Sequence, residues 1–371
     1  MNKAICIFLL AATLILLLPV QVHAEEDLLE ELDFTEVEQM LDETLDEKIS
    51  FREMVSELIS GKLPLDGETV CRIVKQAFLS EIGQNMSSMI YVLLLAVLSA
   101  VLTNFTRVFE QSRTADIGFY IVYLLLLAVL MQSFRTVHGV AELVLGQMTE
   151  FMKLLMSTYM LTIAASGGGT TAAVFYEFLI ALIYAVNFIL FRLLLPLCNI
   201  YVVLSLVNYI SREDMLSKTA ELVKSAIRWG LRTMLTVVVG LNIVQGIITP
   251  AVDSFKTSTI HKAVSAVPGI GGTMNVVTEA VIGSGMLIKN GVGVGILILL
   301  VLISLIPVAK MGVFLLLYKI TGALIQPISD KRMLDCIGTV GEGARLLLKC
   351  VTTSLILFFL TVAILTVSTS M

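Results

Sequence analysis

The sequence predicts an all-α protein, a polytopic helical membrane protein with about nine transmembrane helices in repeated units and a small extracytoplasmic helical head. Three observations predict it. Charged residues make up 15% of the 371 and apolar residues 57%, with a mean hydropathy of +0.92, whereas an average soluble domain is about 25% charged. The apolar residues gather into runs long enough to cross roughly 30 Å of hydrocarbon. Two of those runs end in nearly the same polar heptad, Ile210-Ser-Arg-Glu-Asp-Met-Leu216 and Ile328-Ser-Asp-Lys-Arg-Met-Leu334. Backbone groups in lipid must be paired within their own segment, so the spans are helices.

Residues 1–24 read as a secretory signal peptide. Lys3 supplies a minimal positive start, Ala4–Pro19 an apolar stretch, and Val22-His23-Ala24 a small-x-small cleavage site. An uncleaved first membrane helix is the alternative. Residues 25–85 form the head. Twelve acids and one base, Lys48, fall within 25–50, although the whole chain carries a net charge of only −5. Among those acids Leu28, Leu32, Val37, Met40, Leu41, Leu45 and Ile49 recur at near-helical spacing. The segment Lys62–Gly67 interrupts the pattern, which leaves two or three amphipathic helices. This surface is either a solvated cap or a docking face for another protein. No basic block points to nucleic acid.

The apolar runs are 88–105, 117–134, 151–165, 172–190, 193–210, 233–249, 291–309, 311–328 and 351–367. They divide into a first membrane unit (86–171), a second (172–250), a Gly-rich amphipathic connection (251–290) and a third unit (291–371). Arg192 separates the fourth run from the fifth, and Lys310 the seventh from the eighth. A charge at mid-bilayer costs about 2.5–3.5 kcal/mol. Both bases are therefore expected at hairpin tips near the interface.

The duplicated heptad belongs to a longer correspondence. A shift of 118 residues carries Arg192 onto Lys310, Ile210 onto Ile328, Met215 onto Met333 and Leu216 onto Leu334. One residue of slippage carries Arg228 onto Arg345 and Arg232 onto Lys349. A weaker first copy matches Ala141-Glu-Leu-Val144 to Ala220-Glu-Leu-Val223. Repeats of this kind mean pseudo-symmetric units around a shared site or pathway. Nine crossings from an outside residue 25 put 211–232 in the cytoplasm and 329–349 outside, as inverted units. One more crossing within 264–288 would make the last two units parallel.

Catalytic motifs are missing. There is no HExxH, GxSxG or GxxxxGK[ST]. The five cysteines show no CxxC spacing, and the three histidines are scattered, so neither a metal site nor a cofactor is indicated. Polar residues inside spans carry more information, because they are costly there. Glu177, Asn187, Asn199, Asn208, Asn242 and Gln245 either bond neighbouring helices or line a pathway.

Met286-Leu-Ile-Lys289-Asn290-Gly291-Val-Gly293 enters an apolar stretch after a Gly-rich segment. Together with the signal-like start, acidic head, multiple runs and paired heptads, it resembles the stage III sporulation protein AE family. The resemblance covers most of the chain. It implies a non-enzymatic, multi-pass, permease-like subunit of a channel complex in the mother cell membrane around the forespore. Its partners would be other membrane subunits and a forespore-made protein across the intermembrane space. A homo-oligomer is compatible with the sequence. A self-sufficient secondary transporter and a pathway-free membrane scaffold are the rival readings.

Overall fold

The computed structural model describes residues 34–44, 50–60, 113–163, 169–210, 214–265, 271–327 and 330–368, with a helical stretch at 90–98 and single turns around it. Within the helices, the side chains of 160–176 and 245–289 are outside the description, as are the signal segment 1–24 and the acids of 25–33.

Among the described residues there is no strand. Two short helices come first, α1 (Thr35–Thr44) and α2 (Phe51–Ile59). Then come α3 (Arg113–Ile163), α4 (Gly169–Ile189), α5 (Leu195–Ile210), α6 (Ser217–Ser265), α7 (Gly271–Ile325) and α8 (Lys331–Ser368). Among the described residues, four stretches are long and apolar enough to cross a membrane: Tyr120–Tyr159, Glu177–Tyr209, Asn290–Ile325 and Lys331–Ile364. They hold 33 to 40 residues each, so at 1.5 Å per residue they are about 50–60 Å long. That is nearly twice the hydrocarbon thickness of roughly 30 Å.

Contacts along the helices fix their directions. Tyr123 near the start of α3 has its hydroxyl 2.9 Å from Cys336 Sγ near the start of α8. Gly343 of α8 faces Phe134 of α3 and Val202 of α5. His138 Nε2 lies 3.4 Å from the Leu195 carbonyl, and Asn187 donates to Thr149 Oγ1 at 2.9 Å. Gly230 of α6 lies against Leu194, Gly341 against Tyr318 of α7, and Gly293 against Thr366. Chain direction therefore alternates: α3, α6 and α8 run one way, α4–α5 and α7 the other. One buried apolar cluster runs the length of the bundle and includes Phe134, Leu145, Leu194, Ile227, Ile303, Phe314 and Leu347.

The nine apolar runs are not nine separate helices. The expected hairpin tips at Arg192 and Lys310 are absent, because the backbone is helical through both. No Asn or Asp turn stands at either point, the single Gly312 beside Lys310 is tolerated within a helix, and one long cationic side chain does not break a helix. A local irregularity does occur beside each base. Leu190–Leu194 is a π-turn between α4 and α5, just before Pro196. Pro196 has no N–H for the Arg192 carbonyl and its ring crowds that carbonyl, which a widened turn relieves. Pro307 sits inside α7 three residues before Lys310. Arg192 is exposed and Lys310 half-buried on these continuous helices.

The inverted placement of the two heptads is overturned for the same reason. With α7 as one helix, α6 and α7 lead out and back, so α6 and α8 start at one end of the bundle. Lys224 Nζ sits 3.0 Å from Glu342 Oε1 across that end. In residues 251–290 the backbone is helical up to Ser265 and again from Gly271.

The two short helices sit at the opposite end. Ser50 caps α2, its Oγ accepting from Glu53 N at 3.3 Å and donating to Glu38 Oε1 of α1 at 2.9 Å. Phe34 packs edge-on against Phe51 with ring centroids 5.1 Å apart. Phe51, Met54, Val55 and Ile59 form the buried face of α2, and that face meets α7 at Gly291 and Gly295.

Candidate functional site: a polar crevice at the shared helix end

The end where α6 and α8 begin is cut by two adjoining cavities of about 510 and 520 Å³. Tyr201, Tyr209 and Lys224 line both. The first is completed by Ser205, Asn208, Asp214, Ser217, Arg228 and Arg332. The second is completed by Tyr318, Lys319, Asp335, Thr339, Glu342 and Arg345. Each element contributes for a local reason. The lower parts of α5 and α7 are apolar outside and offer single polar groups inward, whereas the first turns of α6 and α8 are amphipathic.

An ion-pair bridge stands between the cavities. Glu342 receives Lys224 on Oε1 at 3.0 Å and Arg345 on Oε2 at 2.6 Å. Lys224 also lies over the Tyr201 ring, 5.7 Å from its centroid. The start of α6 is tied down by Asn208. Its Nδ2 donates to Asp214 Oδ1 at 2.8 Å, and its Oδ1 accepts from Leu216 N at 2.7 Å. Donation from Asn208, then from Ser217, holds the Asp214 carboxyl below the usual carboxylate range. Anions next to a helix N-terminus are stabilised in any case.

The crevice can hold polar or charged groups of either sign, since acids and bases alternate around it. Among the described residues, no three His, Cys, Asp or Glu side chains converge on a point where a metal ion could sit. Cys198, Cys336 and Cys350 are free thiols buried in the bundle.

The polar residues singled out in the sequence do not converge here, with one exception. Asn208 lines the crevice. Asn187 joins α4 to α3 through Thr149, the interhelical role. Glu177 and Asn199 are exposed on the outer faces of α4 and α5. The side chains of Asn242, Gln245 and Lys289 lie outside the described residues. In the motif that carried the resemblance, the glycines act as notches. A Cβ on Gly291 would fall 2.6 Å from Ile59 Cγ1, one on Gly295 would fall 3.0 Å from Phe51 Cε2, and one on Gly293 would strike Thr366. Asn290 beside them buries its amide oxygen without a hydrogen-bond partner. Sequence reasoning missed Lys224, Glu342 and the two tyrosines. The signal was present, because the register that paired Arg228 with Arg345 marks two helix starts that both line the crevice.

Long apolar helices gathered round one polar end define a helical membrane protein. The chain belongs to the stage III sporulation protein AE family, which it matches over residues 49–369. It is 23% identical to the stage III sporulation protein AE of Bacillus subtilis (strain 168) over 273 residues, 73% of this chain and 68% of that protein. No solved structure matches it.

Proposed function

We propose that this chain is a non-enzymatic, multi-pass subunit of a channel complex that links mother cell and forespore and sustains late forespore development. The observation that carries the reading is the family match across nearly the whole helical bundle. Its place is the membrane of the mother cell that surrounds the forespore, beside other membrane subunits and opposite a forespore-made partner.

Charge gives the orientation. Arg212, Lys218, Lys224, Arg228 and Arg232 precede or open α6, and Lys331, Arg332, Arg345 and Lys349 lie in the first half of α8. Basic residues favour the cytoplasmic side, so the crevice end faces the cytoplasm. The end bearing α1 and α2 then faces out, with the acidic segment beside it as a partner-docking element. Ile82 packs against Val313 and Leu317 of α7, toward the crevice end, so the inward crossing falls in the stretch of chain between α2 and α3. Five further crossings follow, and the second and third repeat units are parallel.

Two experiments test this. Deleting the gene should cut spore yield and late forespore gene expression, and a normal yield would refute the sporulation role. For orientation, Lys218→Cys and Lys331→Cys, each in a background without native cysteines, should both resist an impermeant thiol reagent until the membrane is opened. Labelling of one alone would refute the parallel arrangement. Solute flux through vesicles containing only the purified chain would make it a self-sufficient permease instead. A wild-type spore yield from a Lys224→Met/Glu342→Met chain would reduce it to a scaffold whose crevice is idle.

A further inference from the structure

Among the described residues, the three most exposed large apolar side chains are Met215 (71%), Leu222 (70%) and Trp229 (70%). They are spaced by seven residues. Leu222 and Trp229 share one face of α6, and Met215 stands just ahead of its first turn. Thr219 and Ala226, also exposed, fall between them in the alternating three- and four-residue spacing of a helix-pairing seam. Hydrocarbon does not fit this face. Lys218, Glu221, Arg228 and Arg232 are exposed on the same part of α6, and each charge is costly in lipid. Bulk water does not fit it either, since large contiguous apolar exposure marks an interaction surface. The remaining occupant is a protein helix. The small residues at alternate positions allow its backbone to come close. Three cations against one acid select its charge.

We propose that the outer face of α6, from Met215 to Trp229, docks an amphipathic helix of another protein that carries acidic residues along the edges of its apolar stripe. The docked helix covers Leu222 and Trp229 and sets carboxylates against Lys218 and Arg232. Arg228 also lines the first cavity, so the docked helix lies at the rim of the crevice.

Trp229 is the one tryptophan of the chain, which makes it a native reporter. The purified full chain in lipid nanodiscs is titrated with a synthetic heptad peptide lacking tryptophan, with leucines in its stripe and glutamates beside it. A twin peptide carries lysines in place of the glutamates. Tryptophan emission should shift to shorter wavelength and saturate with the acidic peptide. The basic twin should bind more weakly by about tenfold. The Lys218→Glu/Arg232→Glu double variant should reverse that preference. Leu222→Asp should abolish the shift with unchanged helix content, since that side chain is outside the bundle core. No shift with either peptide overturns the proposal. Quenching of Trp229 by brominated lipid before any peptide is added shows that the face lies against the membrane, and overturns it too. A shift that follows protein concentration without peptide makes the occupant a second copy, with the same consequence.

Discussion

Adding one methyl group at Gly343 should destabilise the bundle, and adding one five residues earlier should stabilise it. Gly343 stands where α8 crosses between α3 and α5. A Cβ there would strike Val202 Cγ2 and come 2.9 Å from Phe134 Cε2. Phe134 is fully buried and Val202 equally so, so neither can swing out of the way. Overpacking a tight core costs typically 1–3 kcal/mol. The helix propensity gained from Gly→Ala, roughly 0.5–1 kcal/mol, offsets only part of it. Gly338 on the same helix has nothing within 4 Å of its would-be Cβ, so Gly338→Ala keeps the propensity gain alone. At about 2–4 °C per kcal/mol for a chain of this size, Gly343→Ala should lower the apparent Tm in detergent by several degrees. Gly338→Ala should raise it by about 1–4 °C. The assay is loss of the monodisperse peak after heating, with both variants measured against the unaltered chain. Shifts of the same sign for the two would refute the three-helix contact at Gly343, and with it the parallel placement of α6 and α8 that follows from the same registers.

Three further outcomes follow from the contacts described. Glu342→Gln removes the negative charge shared by two cations and one of its two acceptor oxygens, and should cost roughly 1–3 kcal/mol; a double-mutant cycle with Lys224→Met should show coupling, whereas additive losses would mean the 3.0 Å pair is not formed. Asn187→Ala should cost less, on the order of 0.6 kcal/mol, and Thr149→Val should add almost nothing to it, because the two changes delete the same bond. Asp214 has a folded pKa below its unfolded value of about 3.9, so its contribution is present above that value and is lost as pH falls through the folded pKa. Asp214→Asn should flatten the acid limb of the stability profile and lower the plateau near pH 7 without changing its slope there, and an altered slope at neutral pH would count against this account.

The helical class, the membrane setting and the places where helices start were legible in the sequence, because hydropathy and the paired heptads report them directly. Helix continuity was not. A run of apolar residues followed by a base and a second run fits two spans with a hairpin or one long helix with a charge at its waist. Local propensity does not separate them, because Pro196 follows Arg192 and Pro307 and Gly312 flank Lys310, yet the helices run through both points. The site was half legible. Polar residues inside spans were read as one group, but their fate depends on helical phase. Asn187 and Asn208 face neighbouring helices, while Glu177 and Asn199 face outward. With a register known for only one copy against another, phase relative to the bundle axis could not be assigned. The glycines of the Lys289–Gly293 motif were visible as a signature, yet their partners, Ile59 and Thr366, lie far away in sequence.

The two corrections are one correction. If Lys310 marked a hairpin, the chain would reverse there, and the start of α8 would lie at the opposite end from the start of α6. Nine basic residues would then be divided between the two faces of the membrane, against the preference for basic cytoplasmic ends. Removing that reversal changes the parity by one. It brings both basic segments to one end, lets Lys224 reach Glu342, and leaves α1 and α2 at the other end against Gly291 and Gly295. The charge distribution in the sequence already required this parity. It conflicted only with the assumption that each apolar run of bilayer length is a separate crossing. Helices of about 50–60 Å satisfy both constraints, because a base at the middle of such a helix need not lie at the middle of the bilayer. The height that exceeds the hydrocarbon is then available for the polar crevice at one end and for the contact with α1 and α2 at the other.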